Sequence, residues 1–285
     1  MLSTWLPRLS LADTMMLKRQ IPTTGEQIPI IGLGTADVFN VDSTPEALKP
    51  LAQVLDRLFG AGGTVIDTAP SYVKSQGVVG TLLAQQGRAD QAFLATKVEG
   101  QETSIADIEA EMKDLQGAKI DLLQVHSMIN FNTVMPFLRE MKQQGQVRYI
   151  GITHHSERAQ DEMIKLVEKE PMDFVQINLN TRDTAAEKRL LPLCQDKGVA
   201  VMINRPFLDG QLFRVVEGKP VPEFAAEIGC TSWAELMIKY IISHPSVTCV
   251  IPATSKPEHM AENAAAGSGV LPDEPMRRRI AAYFE

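Results

Sequence analysis

Four polar residues in the first half of the chain stand at or just beyond the ends of short apolar runs. Asp67 closes TVID, Lys97 closes AFLATK and His126 closes DLLQVH, while Tyr72 follows Asp67 by five residues. A tyrosine hydroxyl, with a reference pKa of about 10, donates protons poorly near neutrality, and a neighbouring ammonium lowers that pKa. We therefore expect Lys97, held by Asp67, to make Tyr72 an acid–base group for a carbonyl substrate. His126 is expected to donate a hydrogen bond to the substrate oxygen.

Each of these residues also has an ordinary structural explanation. Taken singly, Asp67 fits a helix cap, Tyr72 a packed aromatic at a rim, and His126 a hydrogen-bonded structural histidine. Lys97 also fits a Schiff-base lysine of the kind found in barrel aldolases. Their joint occurrence at successive strand ends favours the catalytic interpretation over the separate structural ones.

A repeated pattern of strands and helices must position these residues. Eight short β-rich runs recur at roughly even spacing, and most are continuously apolar, as is typical of parallel strands buried on both faces. They are Ile30–Gly34, Thr64–Asp67, Ala92–Lys97, Asp121–His126, Arg148–Thr153, Asp173–Ile177, Val199–Asn204 and Thr248–Ile251. The alternation predicts an α/β protein of the (β/α)8 TIM-barrel class, whose active sites lie at the C-terminal strand ends. An open doubly wound sheet is the alternative, but the GxGxxG that usually follows its first strand is not found.

Helical patterns lie between the predicted strands. They include Leu48–Leu58 behind a Thr44–Pro45 start, Ile105–Leu115 behind a Ser104 cap, Ala185–Lys197 and Trp233–Ser243. These patterns complete the strand–helix units that a barrel requires.

A single domain over residues 17–285 is the simplest organisation. The segment Leu17–Pro29, with its Thr24–Gly25 turn, predicts an N-terminal β-hairpin ahead of the barrel. Residues 1–16 are interpreted as a disordered tail or an upstream start. Two longer segments, the Arg205–Ala226 connection and a helical and loop tail after Gly267, are expected to reach the ligand.

Composition excludes several classes of function. The 285 residues are 44% hydrophobic with a formal net charge of −7, so a buried core is expected and nucleic-acid binding is not. No apolar run approaches the roughly 18 residues of a membrane span. Three separated cysteines form no zinc or disulfide pattern, and His154–His155 lack a third ligand, so no metal site is predicted. We expect a cytoplasmic protein, or a periplasmic one if the N-terminus is a leader remnant.

Six short motifs follow one another along the chain: GLGT, IDTAPSY, ATK, LLQVH, VQIN and IPATSKPEHMAEN. Their order and positions resemble the aldo-keto reductases over about residues 17–267. The resemblance implies a (β/α)8 barrel, a catalytic tetrad of Asp67, Tyr72, Lys97 and His126, and NADPH, or less often NADH, as hydride donor. It also implies reversible reduction of a small-molecule aldehyde or ketone to an alcohol, with the proton from Tyr72, in a monomeric protein.

The resemblance assigns residues to the nicotinamide end of the cofactor with some departures. Thr153 and His154 align with a Ser–Asn pair of the family, and Gln176 matches its amide-binding glutamine. Asn204 and Arg205 stand where a Tyr–Ser pair is usual, so the tyrosine that stacks on the nicotinamide is missing. Arg205 is expected to stack through its guanidinium plane or to reach the pyrophosphate. These departures resemble a bacterial branch of the family.

The adenosine end is assigned in the same way. Ala253–Lys256 is expected to run along the adenosine phosphate, with Lys256 in place of an arginine that the family often carries where His259 stands. Glu262 and Asn263 match adenine-contacting positions. The remaining implied cofactor residues are Gly34, Thr35, Asp67, Pro206, Leu208, Gly210, Ala253, Thr254 and Ser255.

The substrate cannot be assigned from the sequence, because specificity loops vary freely on this scaffold. Met128, Ile129 and Phe131, in the stretch Ser127–Pro136, predict an apolar mouth. Two other functions stay open: a nicotinamide-binding sensor or subunit with little turnover, and a Schiff-base lyase acting through Lys97.

Overall fold

The structure, a computed structural model, describes residues 15–284 and contains a barrel of eight parallel strands. An antiparallel hairpin precedes it, formed by β1 (Lys18–Gln20) and β2 (Gln27–Pro29). The barrel strands are β3 (Leu33–Gly34), β4 (Val65–Asp67), β5 (Phe93–Val98), β6 (Leu122–His126), β7 (Tyr149–Thr153), β8 (Phe174–Asn178), β9 (Ala200–Asn204) and β10 (Cys249–Val250). Each pairs with the next in sequence, and bridges from Ile31 to Val250 and from Gly34 to Ala253 bring β10 back to β3. The predicted (β/α)8 fold and its hairpin are confirmed.

Helices join the strands and cover the outside of the barrel. They are α1 (Pro45–Gly60), α2 (Ser75–Gln86), α3 (Ile105–Met112), α4 (Phe131–Gln143), α5 (Gln160–Lys169), α6 (Leu190–Lys197), α7 (Gln211–Val215), α8 (Trp233–Ile242), α9 (Pro257–Ala265) and α10 (Glu274–Ala281). Both predicted caps are present. The Thr44 side chain accepts a hydrogen bond from the Ala47 amide, and Ser104 accepts one from the Asp107 amide. Each bond satisfies an amide that the first helical turn leaves unpaired.

Side chains alternate in direction along each barrel strand, and this alternation sorts the interior into an apolar and a polar layer. Near the N-terminal strand ends, Phe93, Tyr149 and Phe174 fill the barrel, with ring centroids 5.6 to 6.1 Å apart. Ile21 and Ile28 of the hairpin region extend the same buried cluster. The residues two or four positions later on these strands share the inward direction and form the polar layer of the candidate site.

Two predicted elements differ in extent from the observed ones. The predicted helix Ala185–Lys197 is interrupted at Arg189, whose φ of −138° separates a short 3-10 turn from α6. The predicted strand Ile30–Gly34 shortens to β3. The residues before Leu33 do not pair with a single neighbouring strand. The Ile30 amide donates to the Leu17 carbonyl oxygen of the hairpin segment, and the Gly32 amide donates to the Val250 carbonyl oxygen of β10.

The longer connections are more ordered than a plain loop. Arg205–Ala226 contains α7, and the tail after Gly267 contains α10. Residues 1–14, most of the predicted tail or upstream start, lie outside the described residues, and the single-domain organisation stays a prediction. The three cysteines are buried and free. Over residues 15–284, no helix combines the length and the apolar character needed to cross a membrane.

Candidate active site

A buried ion pair between Asp67 and Lys97 lies at the centre of the polar layer. Asp67 ends β4 and Lys97 is the penultimate residue of β5. Their Oδ2 and Nζ atoms are 2.8 Å apart, and the two side chains are 3% and 1% exposed. Nζ also donates to the Thr68 carbonyl oxygen at 2.7 Å. Burial by itself would lower the pKa of Lys97, but the charges of Asp67 and Tyr72 hold it above its ordinary value.

The second carboxylate oxygen of Asp67 accepts hydrogen bonds from two glutamines. Gln176 Nε2 lies 2.8 Å from Asp67 Oδ1, and Gln124 Nε2 lies 3.5 Å from the same atom. Gln176 is in turn oriented through its Oε1, which accepts from Thr153 Oγ1 at 2.9 Å and from Asn204 Nδ2 at 3.2 Å. The ion pair is therefore held by a network from four other strand positions.

Tyr72 lies on the loop after β4, with the centre of its ring 4.7 Å from Nζ of Lys97. Burial raises the pKa of Tyr72 above its usual value of about 10; the charge of Lys97 opposes this and that of Asp67 adds to it. Lys97 lowers the pKa of Tyr72, as predicted, but the net shift is upward because removing the phenol from water has the larger effect. The protonated phenol, the form that can donate a proton, is favoured.

His126 ends β6 and sits beside Tyr72, with ring centroids 6.1 Å apart in an edge-on arrangement. Its Nδ1 is 2.7 Å from Oε2 of Glu99 and 3.4 Å from Oγ of Ser71. The other oxygen of Glu99 accepts the Ser71 amide at 3.2 Å. Burial would raise the pKa of Glu99, but the hydrogen bond and charge of His126, with Ser71, hold it below its ordinary value.

Sequence reasoning missed Glu99. The available signal was its position two residues after Lys97, because residues two apart on an extended segment share a direction. The structure brings the four residues of the predicted tetrad together, and it adds this carboxylate at their edge.

A cavity of about 860 Å³ opens above the tetrad at the C-terminal strand ends. The sequence-predicted residues that line it are Gly34, Thr35, Asp67, Tyr72, His126, Thr153, His154, Gln176, Asn204, Arg205, Pro206, Gly210 and Ala253. Lys97 is not among its lining residues and lies buried beside Tyr72. The cavity therefore unites residues from both halves of the chain.

The other predicted cofactor residues lie outside this lining. They are Leu208, on the loop after β9, and Thr254, Ser255, Lys256, His259, Glu262 and Asn263, at and after the end of β10. Lys256 and His259 are exposed at the start of α9, and neither forms an ion pair with any described residue. Thr254 Oγ1 accepts the Lys256 amide at 3.1 Å and shapes this turn.

The loop after β9 holds Arg205 by its own partners. Its guanidinium pairs with Asp209, with Nε to Oδ1 at 3.0 Å, and Nη1 donates to the His155 carbonyl oxygen at 3.0 Å. Arg205, Leu208 and Asp209 all have φ near +50°, a backbone region that costs free energy for residues other than glycine. The guanidinium is thus fixed at the cavity wall.

The apolar part of the cavity differs from the prediction. Met128 and Phe131 are buried in the core, Ile129 is 48% exposed, and none of the three lines the cavity. Phe207 and Phe213 line it instead, with ring centroids 4.9 Å apart. Both residues lie on the Arg205–Ala226 connection, which contains α7 and which the sequence predicted to reach this pocket.

His154 and His155 lie next to each other at the C-terminal end of β7. Their rings stack at 5.0 Å with an interplanar angle of 15°, because β7 ends at Thr153 and both residues lie beyond the strand. Burial lowers the pKa of each ring, and for His154 the neighbouring His155 adds to the effect. Among residues 15–284, no group of three histidine, cysteine or acidic side chains is arranged to hold a metal ion.

Comparison with known sequences gives one consistent family. A model described as "Aldo/keto reductase family" matches residues 30–282. The chain is 28% identical to the glyoxal reductase of Bacillus subtilis over 262 residues, which cover 90% of this chain and 87% of that protein. It is 26% identical to an aldo-keto reductase of Mycobacterium avium over 246 residues, covering 83% and 80%.

Solved structures share the fold. The thermostable aldo-keto reductase Tm1743 superimposes with a TM-score of 0.75 at 25% identity, covering 94% of this chain and all of that one. An aldo-keto reductase of Klebsiella pneumoniae in complex with NADPH gives a TM-score of 0.75 at 22% identity, covering 93% and 94%.

Proposed function

Because the chain belongs to the aldo/keto reductase family, we propose that it reduces an aldehyde or ketone to the alcohol with a reduced nicotinamide cofactor. One observation carries the proposal. The buried Asp67–Lys97 pair lies beside the ring of Tyr72, next to His126, on the wall of a large cavity at the C-terminal strand ends. That is the end of a (β/α)8 barrel at which active sites are built.

The residues of the cavity fit a nicotinamide. Oδ1 of Asn204 is buried and has no hydrogen-bond partner among the described residues, so it can accept from a carboxamide NH2 group. Gln176 and Thr153 are the neighbouring groups that would hold the same carboxamide. Exposed Lys256 at the start of α9 suits a phosphate, because cations and helix N-termini both attract anions. We therefore propose NADPH as the preferred cofactor, with NADH as the alternative.

The bound reduced nicotinamide would supply a hydride to the carbonyl carbon of the substrate. Tyr72 donates a proton to the oxygen that becomes the alcohol. Its raised pKa keeps the phenol protonated until negative charge develops on that oxygen. Lys97 stays charged through Asp67 and stabilises negative charge on Tyr72 after the transfer. His126 orients the carbonyl oxygen by a hydrogen bond.

The oxidation of NADPH and of NADH by the purified protein, followed by absorbance over a panel of aldehydes and ketones, tests this function. Tyr72→Phe removes only the hydroxyl, so we expect it to lower turnover at least about a hundredfold while cofactor affinity is kept. The matched control Tyr283→Phe changes a partly exposed tyrosine on the tail and should keep full activity. Wild-type turnover in Tyr72→Phe would refute the proposal. Cofactor binding without turnover on any carbonyl would favour the sensor or subunit.

The structure argues against the Schiff-base alternative. Formation of a Schiff base requires a neutral amine as the nucleophile. Lys97 is instead paired with Asp67, and its pKa lies above the ordinary value. We expect borohydride to trap no carbonyl compound on Lys97, and a trapped adduct would reinstate the lyase.

A further inference from the structure

Glu99 contacts His126, and the reaction described above assigns no role to this contact. Its Oε2 is 2.7 Å from Nδ1 of the ring, and both side chains are 19% exposed. Its Oε1 accepts the Ser71 amide at 3.2 Å, so both oxygens of the carboxylate are engaged. The Ser71 hydroxyl is 3.4 Å from the same Nδ1 and is the weaker partner.

We propose that Glu99 is a positioning residue that holds a proton on Nδ1 of His126, so that Nε2 donates to the carbonyl oxygen only when the ring is cationic. An ionised carboxylate can only accept, so a hydrogen bond at 2.7 Å requires Nδ1 to carry the proton. In the neutral ring Nε2 then has no proton to donate, and its lone pair repels a carbonyl oxygen. Among the described residues Nε2 has no hydrogen bond of its own, which leaves it available to a ligand. The inference rests on the proposed carbonyl reduction.

The charges around the ring support this assignment to Glu99. Of the other titratable groups near His126, Tyr72 packs edge-on against the ring, and His154 and His155 after β7 interact with it electrostatically. The Asp67–Lys97 ion pair lies beside Tyr72. Asp67 and Lys97 offset each other as an ion pair, and Tyr72 is protonated. Burial, together with nearby positive charge, lowers the pKa of His154 and His155, so both are neutral near pH 7. Glu99 is the anion in direct contact with the ring.

A pH dependence follows from this arrangement. With the only proton of the neutral ring on Nδ1, Nε2 can donate only in the imidazolium form, which becomes scarcer as the pH rises. For the wild type we therefore expect kcat/KM for reduction to fall as the pH rises. In Glu99→Gln the amide NH2 can donate to Nδ1, which moves the proton of the neutral ring to Nε2. The neutral ring then donates, and the fall of kcat/KM with pH should disappear.

The tautomer can be read without any substrate. The chain has five histidines, so ¹⁵N-histidine labelling gives a spectrum in which the His126 signals are those lost in His126→Asn. We expect the neutral ring of the wild type to carry its proton on Nδ1 and that of Glu99→Gln to carry it on Nε2. A wild-type ring protonated on Nε2, or the same tautomer in both proteins, would overturn the proposal.

Glu111→Gln is the matched control for the pH profile. Burial and the neighbouring Glu102 raise the pKa of Glu111 to about 7, yet Glu111 does not contact His126. We expect Glu111→Gln to keep the wild-type profile. A profile that changes in Glu111→Gln and not in Glu99→Gln would refute the role of Glu99. An Nδ1 tautomer in a protein that reduces no carbonyl would instead refute the proposed function, so the two failures are distinguishable.

Discussion

The buried pair of Asp67 and Lys97 gives a stability prediction that is independent of the reaction. We expect Asp67→Asn to lower the free energy of unfolding by about 3 to 5 kcal/mol, because it leaves the buried ammonium without its counter-charge. At 2.8 Å and an effective dielectric constant near 20, the Coulomb attraction that is lost amounts to about 6 kcal/mol. The bonds of Nζ to Thr68 and of the new amide recover only part of it.

The chain contains a pair of equal length in a different environment. Arg189 and Asp161 are also 2.8 Å apart, but their side chains are 65% and 77% exposed. In bulk water the attraction at that distance is about 1.5 kcal/mol, and the entropy of two long side chains offsets most of it. Asp161→Asn should therefore cost less than about 1 kcal/mol.

Urea unfolding monitored by circular dichroism measures both variants at pH 7. The double variant Asp67→Asn/Lys97→Met removes the stranded charge as well, and we expect it to be more stable than Asp67→Asn alone. If Asp67→Asn and Asp161→Asn cost the same, or if the double variant is the least stable protein, then burial of the pair is not what determines its contribution.

Two further perturbations test the packing of the barrel and a shifted carboxyl. In Gly151→Ala the added methyl group overlaps the Phe174 carbonyl oxygen, so we expect the free energy of unfolding, measured in urea, to fall by about 1 to 3 kcal/mol. Gly60 has open space around it, so Gly60→Ala should leave the free energy of unfolding unchanged. Equal losses in the two variants would refute the overlap. Burial and Glu102 raise the pKa of Glu111 from 4.5 to about 7, so the folded state binds this proton more tightly and stability falls as the pH rises from 4.5 through 7. Glu111→Gln should flatten that fall in unfolding midpoints measured between pH 4 and 8, and an unchanged slope would contradict it.

Local sequence signals predicted the strand ends and their polar residues because burial on both faces produces continuous apolar runs. A polar residue that interrupts such a run marks the C-terminal end of the strand, as at Asp67, Lys97 and His126, although Asp67 and Lys97 themselves stay buried. The caps at Thr44 and Ser104 were predictable for a similar reason, since they depend on residues only three positions away.

The sign of the Tyr72 pKa shift was not predictable in the same way. It is the balance of two effects, burial of the phenol and the charge of Lys97, and the sequence identifies the second but not the extent of the first. The hydrogen bonds of Arg205 to Asp209 and His155 likewise depend on φ values near +50° at Arg205, Leu208 and Asp209. The residue types in that loop do not predict this backbone conformation.

The contact between Glu99 and His126 follows from the register of two neighbouring barrel strands. Strands β5 and β6 are neighbours, and their register sets Val98 opposite Val125. The next residue on each side is Glu99 and His126, so two side chains that are 27 positions apart must meet where the pair of strands ends. The register of neighbouring parallel strands thus determines which of the polar residues at the strand ends contact one another. Once it is known, the partner of the histidine follows from the sequence, and so does the tautomer that a carboxylate imposes on it.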